Sequence, residues 1–240
     1  MSEWWTYTIA DIKSFSLETW YRLFELYNRA IWPAQIAAIA AGLAMGSGLH
    51  LPHRGPGRHS GRSRVIAAIL AACWLWVAIV FHAHRYATLT WSARYYAWGF
   101  GIEAALLLLV GVARSRLVLD RTGDAVARIG WWIFLFALFL EPIVGLLLGR
   151  TWRQVEVFGV APDPTAVATL GLILTAAGRV RWELLAVPLL WCGISGATLL
   201  SMRAPDAWIP LAAAVVAVLL ATSRTLGRRQ GRARRRDNTG

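Results

Sequence analysis

Long apolar segments alternate with short polar connections along most of the 240-residue chain. Each apolar segment approaches the ~20 residues that a helix needs to cross ~30 Å of hydrocarbon. The pattern therefore predicts an all-α integral membrane protein built as a seven-helix transmembrane bundle. The predicted spans are residues 30–51, 65–84, 97–113, 129–148, 164–178, 184–200 and 207–222.

The fifth predicted span is the shortest, but its start is well marked. Asp163 and Pro164 have the form of a helix N-cap followed by proline at the first helical position. Arg179 and Arg181 follow its end, and their long side chains reach the membrane interface from within the hydrocarbon. We therefore expect this segment to cross the membrane.

An amphipathic stretch precedes the first span, and a basic stretch follows the last. Apolar residues recur on one helical face of residues 17–31, which predicts a helix lying on the outer membrane surface. The sequence thus divides into an amphipathic outer-surface helix (1–29), a transmembrane bundle (30–222) and a basic cytoplasmic tail (223–240). We expect the tail to be disordered and to contact anionic lipid.

Composition and charge agree with a membrane location. The chain is 57% hydrophobic and only 16% charged, whereas soluble domains average about 25% charged residues. The net charge of +12 would suggest nucleic acid in a soluble protein, but here arginines mark cytoplasmic connections. One set of alternate connections holds 17 Lys and Arg residues and the other holds 8. The N-terminus is therefore predicted outside, the C-terminus in the cytoplasm, and no nucleic-acid partner is expected.

Polar side chains inside the predicted spans concentrate in the outer half of the membrane. Glu141 and Glu103 lie at similar depth, Gln35 is one turn into the first span, His82 is near the end of the second, and Asn28 lies just above. A carboxylate in hydrocarbon costs ~3 kcal/mol or more, so it should face the bundle interior or a wet cavity. These five residues form the predicted substrate-binding set.

Pro142 directly follows Glu141 and is expected to break the fourth span. Proline cannot donate a backbone hydrogen bond, and it frees the carbonyl of Leu138. A kink here turns that carbonyl and the Glu141 side chain toward one polar cavity, which we expect Glu103 to share. The alternative is a purely structural network, in which Glu103 pairs with Arg85 or Arg94.

Several chemistries are excluded by the residues present. Lys13, the only lysine, lies outside every span and cannot hold retinal, while His50 and His82 fall at opposite membrane faces and cannot sandwich a haem. Cys73 and Cys192 both lie in apolar runs and are read as small buried hydrophobes. No metal site is predicted, and the sequence identifies no cofactor.

Three stretches resemble an uncharacterised family of bacterial multi-span membrane proteins. They are "YNRAIWPAQ" at 27–35, "VFGVAPDPTAVATLG" at 157–171 and "RWELLAVPLLWC" at 181–192. The resemblance covers most of the chain outside the basic tail. It implies a bacterial inner-membrane protein, multi-pass, and brings no activity or catalytic residue with it.

Three functions remain open at the level of sequence. The outward-facing polar pocket favours a transporter or permease for a small polar solute or ion, because buried acids and broken helices mark such paths. A membrane enzyme acting on a lipid or quinone at the outer leaflet would use Glu103 or Glu141 as acid or base. The third is a non-catalytic subunit that packs on a membrane-protein partner. Whether the protein is an enzyme is left undecided.

Overall fold

The computed structural model describes residues 15–50, 58–120 and 124–237, and these are mostly helical. Nine α-helices follow one another in these ranges, and three of them continue at their C-terminal ends into π-helical segments at 77–85, 107–113 and 136–140. Across the described ranges the only β-type pairing is an isolated bridge between Leu119 and Ala176. The helices are α1 (Leu17–Ala30), α2 (Ala34–His50), α3 (Arg58–Trp76), α4 (Ala93–Leu106), α5 (Ala125–Leu135), α6 (Glu141–Leu147), α7 (Pro162–Leu174), α8 (Trp182–Ser201) and α9 (Trp208–Asp237).

Within the described part of the chain, five continuous helical stretches are long and apolar enough to cross a membrane. A sixth candidate is the pair α1 and α2, which are bent by 88° relative to each other. The five stretches correspond to the second, third, fourth, sixth and seventh predicted spans, and α2 corresponds to the first. The protein therefore has the helices of a multi-pass membrane protein, while the count of seven crossings and the orientation stay predictions. The five stretches are Gly61–Thr88, Ala93–Ala113, Ala125–Leu147, Trp182–Ser201 and Trp208–Arg228.

Helix α7, which lies in the fifth predicted span, is short and central. It has 13 residues, all of them buried, and its length of ~20 Å at 1.5 Å per residue is less than the hydrocarbon thickness. Burial extends without interruption over residues 155–176. Protein surrounds this segment on all sides, so the non-helical backbone at its ends is shielded from lipid. Its start differs from the predicted cap, because Ala161 is the N-cap residue and Pro162 opens the helix.

Small residues allow α7 to lie directly against α5. A Cβ atom added to Gly171 would approach the carbonyl oxygen of Gly130 to 2.6 Å, and one added to Gly130 would meet the oxygen of Gly171 at the same distance. Close backbone approach at small residues is the usual way in which helices pack inside a membrane. Helix α7 also packs against α8 and α9, so it is the centre of the bundle.

The amphipathic helix α1 is present, and its apolar face is covered by protein. Trp20, Leu23, Phe24 and Tyr27 are buried at helical spacing, and α1 packs against the π-helical segment that follows α3. The Tyr27 hydroxyl donates a hydrogen bond to the carbonyl of Val160 at 2.7 Å. This bond ties α1 to the connection that leads into α7.

The fourth predicted span changes its helical geometry at the Glu-Pro step. A π-helical segment, Phe136–Leu140, ends where α6 begins, and the Glu141 N–H donates to the carbonyl of Phe136. Pro142 then occupies the first turn of α6, where its missing N–H costs little. The wider turn accommodates the proline, and the Glu141 side chain is buried in the protein.

Helix α9 continues from the last predicted span into the basic tail as far as Asp237, in a segment whose composition predicts disorder. Arginine is a good helix former, and extending an existing helix avoids the cost of nucleation. Arg224, at the start of the tail, is buried and donates from Nη1 to the carbonyls of Leu174 and Ala176, each at 2.9 Å. Its guanidinium also pairs with Asp124, the N-cap residue of α5.

Candidate functional site

A buried arginine bridges two carboxylates beside the end of α6. Arg150 Nη1 lies 2.9 Å from Glu156 Oε1, and Arg150 Nη2 lies 2.5 Å from Asp206 Oδ2. All three side chains are buried. Burying a charged side chain costs its free energy of hydration, and close pairing with an opposite charge is needed to offset that cost. The connection between α6 and α7 is thus anchored to the one between α8 and α9.

Local backbone geometry directs Arg150 inward. Gly149 has φ +94°, a conformation that favours glycine, and it turns the chain immediately after α6. Gly145 lies one turn earlier, and a Cβ there would be 3.4 Å from Cδ of Arg150. The two glycines turn the chain back and leave room for the arginine stem against the helix.

Asp163 places a third carboxyl group in the same region, and hydrogen bonds from α8 hold this group in position. Its Oδ1 accepts from Trp191 Nε1 at 2.8 Å, and its Oδ2 accepts from the hydroxyl of Ser195 at 2.7 Å. Asp163 also lies in the first turn of α7, where the helix dipole favours negative charge. Its side chain therefore joins α7 to α8 instead of capping its own helix.

Glu141 completes a group that we call the carboxylate cluster, defined as Glu141, Arg150, Glu156, Asp163 and Asp206. These five residues line one small cavity of about 20 Å³. A cavity of this volume has space for about one water molecule. Glu141 is 9% exposed, and its Oε2 has no hydrogen-bond partner among the described residues.

The carboxylate cluster contains more acid than base. Four carboxyl groups face one guanidinium, and oxygens of Glu141, Glu156 and Asp206 lack hydrogen-bond partners within the described part of the chain. Burial, together with the charges of Asp163 and Asp206, raises the pKa of Glu156 to about 8 despite the contact with Arg150. Buried oxygens without a hydrogen-bond partner are usually satisfied by a proton, a bound water molecule or an ion.

The other predicted site residues lie in two further places. Asn28 and Gln35 meet at the corner between α1 and α2, where Gln35 Nε2 donates to the Asn28 carbonyl at 2.8 Å. Asn28 Nδ2 donates in turn to the carbonyls of Arg153 and Val155, at 2.8 and 2.9 Å. They line a cleft that we call the corner groove, with a volume of about 530 Å³. The corner groove is formed by Asn28, Arg29, Trp32, Gln35, Trp152, Arg153 and Val157.

His82 and Glu103 are fully buried, and their side chains have no polar partner among the described residues. The His82 ring lies 4.5 Å from the ring of Phe100 and 4.9 Å from that of Trp191, and neither ring nitrogen has a partner in the described structure. Neither oxygen of Glu103 has one either. The alternative pairing of Glu103 with Arg85 or Arg94 is absent from the ion pairs of the described residues. No described group of three or more His, Cys, Asp and Glu side chains is arranged to hold a metal ion.

The five predicted residues therefore do not line a single cavity. Glu141 shares its cavity with acids that the sequence placed in connections, namely Glu156, Asp163 and Asp206. The available signal was an apolar setting: Asp163 and Asp206 directly precede predicted spans, and Glu156 lies between two valines. The sequence pattern predicts a helix cap at Asp163 and places Glu156 and Asp206 in connections between the predicted spans.

The helices and the buried polar groups define an all-helical, multi-pass type of membrane protein. The chain belongs to a family of unknown function, DUF6064, whose model matches residues 17–232. This match confirms the resemblance to an uncharacterised family. No curated protein and no solved structure matches the chain.

Proposed function

We propose that the protein is a transporter or permease for a small polar solute or ion, in which the carboxylate cluster binds a proton. The observation that carries this proposal is the unpaired Oε2 of Glu141, buried beside a cavity shared with three other carboxyl groups. Ionisable groups inside a membrane protein are costly and typically mark ion or proton paths.

The arrangement gives Arg150 a choice of partners. It now pairs with Glu156 and Asp206, while Glu141 lines the same cavity. Uptake of a proton by one acid weakens that acid's pairing and leaves the guanidinium free to favour another. A buried site with several near-equivalent pairings is suited to coupling protonation to a change in packing.

The connection between α6 and α7 links the carboxylate cluster to the protein surface. Arg150 and Glu156 face the cluster, whereas Trp152 and Arg153, between them in sequence, line the corner groove. A shift of this connection therefore alters both sites together. In the proposed cycle, protonation of the cluster moves the connection and changes access from the predicted outer side.

The proposal is tested with protons as the probe, so the transported solute need not be known. Purified protein in liposomes is adsorbed on a solid-supported membrane, and a rapid change from alkaline to mildly acidic pH is applied. We expect a transient current from proton uptake in the native protein and its loss in Glu141→Gln. Glu183→Gln, on the partly exposed first turn of α8, is the matched control and should keep the current.

Two results would contradict the proposal. The first is a native protein that gives no more current than empty liposomes. The second is an equal current from Glu141→Gln and from Glu183→Gln in samples that contain the same amount of folded protein.

A further inference from the structure

The corner groove is a preformed cleft at the bend between a surface helix and a candidate span. Helices α1 and α2 meet there at 88°, and the volume of about 530 Å³ lies in the usual range for small-ligand sites. Trp32 and Trp152 line it and are 62% and 66% exposed. Exposed tryptophans at the end of a span are typical of the membrane–water interface.

The charge lining this groove is entirely positive. Arg29 and Arg153 both line it, and its described lining contains no acid. The Arg153 guanidinium lies 4.7 Å from the centre of the Trp152 ring, and it forms no ion pair with a described residue. Arg29 pairs with Glu25 at 2.7 Å, and Glu25 also pairs with Arg22. The groove therefore offers cationic donors to an anionic group.

Hydrogen bonds hold the two sides of the groove together. Asn28 on α1 donates to the backbone of residues 153 and 155, and Gln35 on α2 donates to the backbone of Asn28. The bond to residue 153 uses its backbone carbonyl and does not occupy its guanidinium. The lining is thus fixed before any ligand arrives, which lowers the entropy cost of binding.

An apolar stripe continues from this groove along α2. Ile36, Ile39 and Leu43 are exposed at helical spacing, and the stripe starts beside Gln35, which lines the groove. A small soluble anion has no apolar part that could contact this stripe, whereas the acyl chain of a lipid packs along it. Cationic groove and apolar stripe together match an anionic amphiphile.

We propose that the corner groove binds the phosphodiester headgroup of an anionic phospholipid, with one acyl chain along the stripe on α2. Arg29 and Arg153 contact the phosphate, because guanidinium groups match phosphate oxygens in charge and geometry. Trp32 and Trp152 flank the headgroup at the interface. The assignment to lipid is argued from the lining of the groove and does not rest on proton binding at the carboxylate cluster.

The proposal is tested by native mass spectrometry of the delipidated full-length protein. Dioleoylphosphatidylglycerol is the probe, dioleoylphosphatidylcholine is the zwitterionic comparison with no net charge, and glycerol 3-phosphate is the soluble phosphate. We expect phosphatidylglycerol to bind in preference to phosphatidylcholine, and an excess of glycerol 3-phosphate not to displace it. Arg153→Gln should weaken phosphatidylglycerol binding about fivefold, and the double variant with Arg29→Gln about 25-fold, at about 1 kcal/mol per arginine.

Arg94→Gln is the matched control, because Arg94 is exposed beside Trp91 and Tyr95 and does not line the groove. It should leave phosphatidylglycerol binding unchanged. Equal retention of both phospholipids, or equal losses in Arg94→Gln and Arg153→Gln, would overturn the proposal. Displacement by glycerol 3-phosphate would show that the groove takes a soluble phosphate compound, and would overturn the assignment to lipid.

Discussion

Trp191 joins two buried parts of the protein: its indole N–H donates to Asp163 at 2.8 Å, while its ring packs 4.9 Å from the ring of His82. The hydrogen bond connects Trp191 to the carboxylate cluster. The ring contact places Trp191 among the aromatic side chains that surround His82 in the second predicted span. A single side chain on α8 therefore contacts both regions.

Replacing Trp191 with phenylalanine keeps an aromatic ring and removes the donor. We expect Trp191→Phe to lower the free energy of unfolding by about 1.5–3 kcal/mol, the usual range for a hydrogen bond to a charged group. Thermal unfolding in detergent measures the change. Trp98→Phe is the control, since Trp98 is 75% exposed. Equal small losses in both variants would show that the bond to Asp163 contributes little.

The acids around Glu141 lead to a prediction about coupling. Glu141 shares its cavity with Glu156, whereas Glu103 does not line that cavity. We expect Glu141→Gln and Glu156→Gln to be non-additive in stability by about 0.5–3 kcal/mol, as is usual for groups in one network. The pair Glu141→Gln and Glu103→Gln should be additive to within about 0.5 kcal/mol.

Both double-mutant cycles are measured by unfolding of the same detergent-solubilised preparation. Strong coupling between Glu103 and Glu141 would restore the pairing expected from sequence and would count against the carboxylate cluster. Additivity in both cycles would mean that the four acids do not act as one site.

The raised pKa of Glu156 leads to a prediction of how the free energy of unfolding changes with pH. Burial raises its pKa from 4.5 to about 8, so between these values the folded protein holds a proton that the unfolded chain releases. Its stabilising contribution is complete below pH 4.5 and decreases as pH rises toward 8. We expect Glu156→Gln to make thermal stability less dependent on pH in this interval. A slope equal to that of the native protein would show that Glu156 does not titrate there.

The sequence predicted helices well and the polar site only in part, for a physical reason. Helical spans can be predicted from long apolar runs. The break at Pro142 can be predicted too, because proline acts on the helix turn in which it lies. Arg150 and Asp206 are different, since their connections could equally well face water. They are buried because the α6–α7 connection pairs with the α8–α9 connection. The order of apolar and polar residues along the chain does not show which connections come together. The corner groove depends in the same way on contacts between residues 28–35 and 152–157.

The last prediction concerns whether α7 crosses the membrane, which decides between seven and six crossings. Residues 155–176 are buried throughout, so their ends must be probed in the flanking connections. With seven crossings, Gln154 lies outside and Arg179 lies in the cytoplasm. Both are accessible for labelling, because Gln154 is partly exposed and the Arg179 side chain is 78% exposed.

Single cysteines at these two positions distinguish the models in intact cells treated with a membrane-impermeant maleimide. The native Cys73 and Cys192 are buried and should stay unlabelled under native conditions. We expect Gln154→Cys to react from outside and Arg179→Cys to react only after the cells are opened. Gly227→Cys, at a position with open space around its Cα, should behave like Arg179→Cys because the charge bias places α9 with its C-terminus inside. External labelling of both Gln154→Cys and Arg179→Cys would instead make α7 a helix that enters the bundle and returns to the same side.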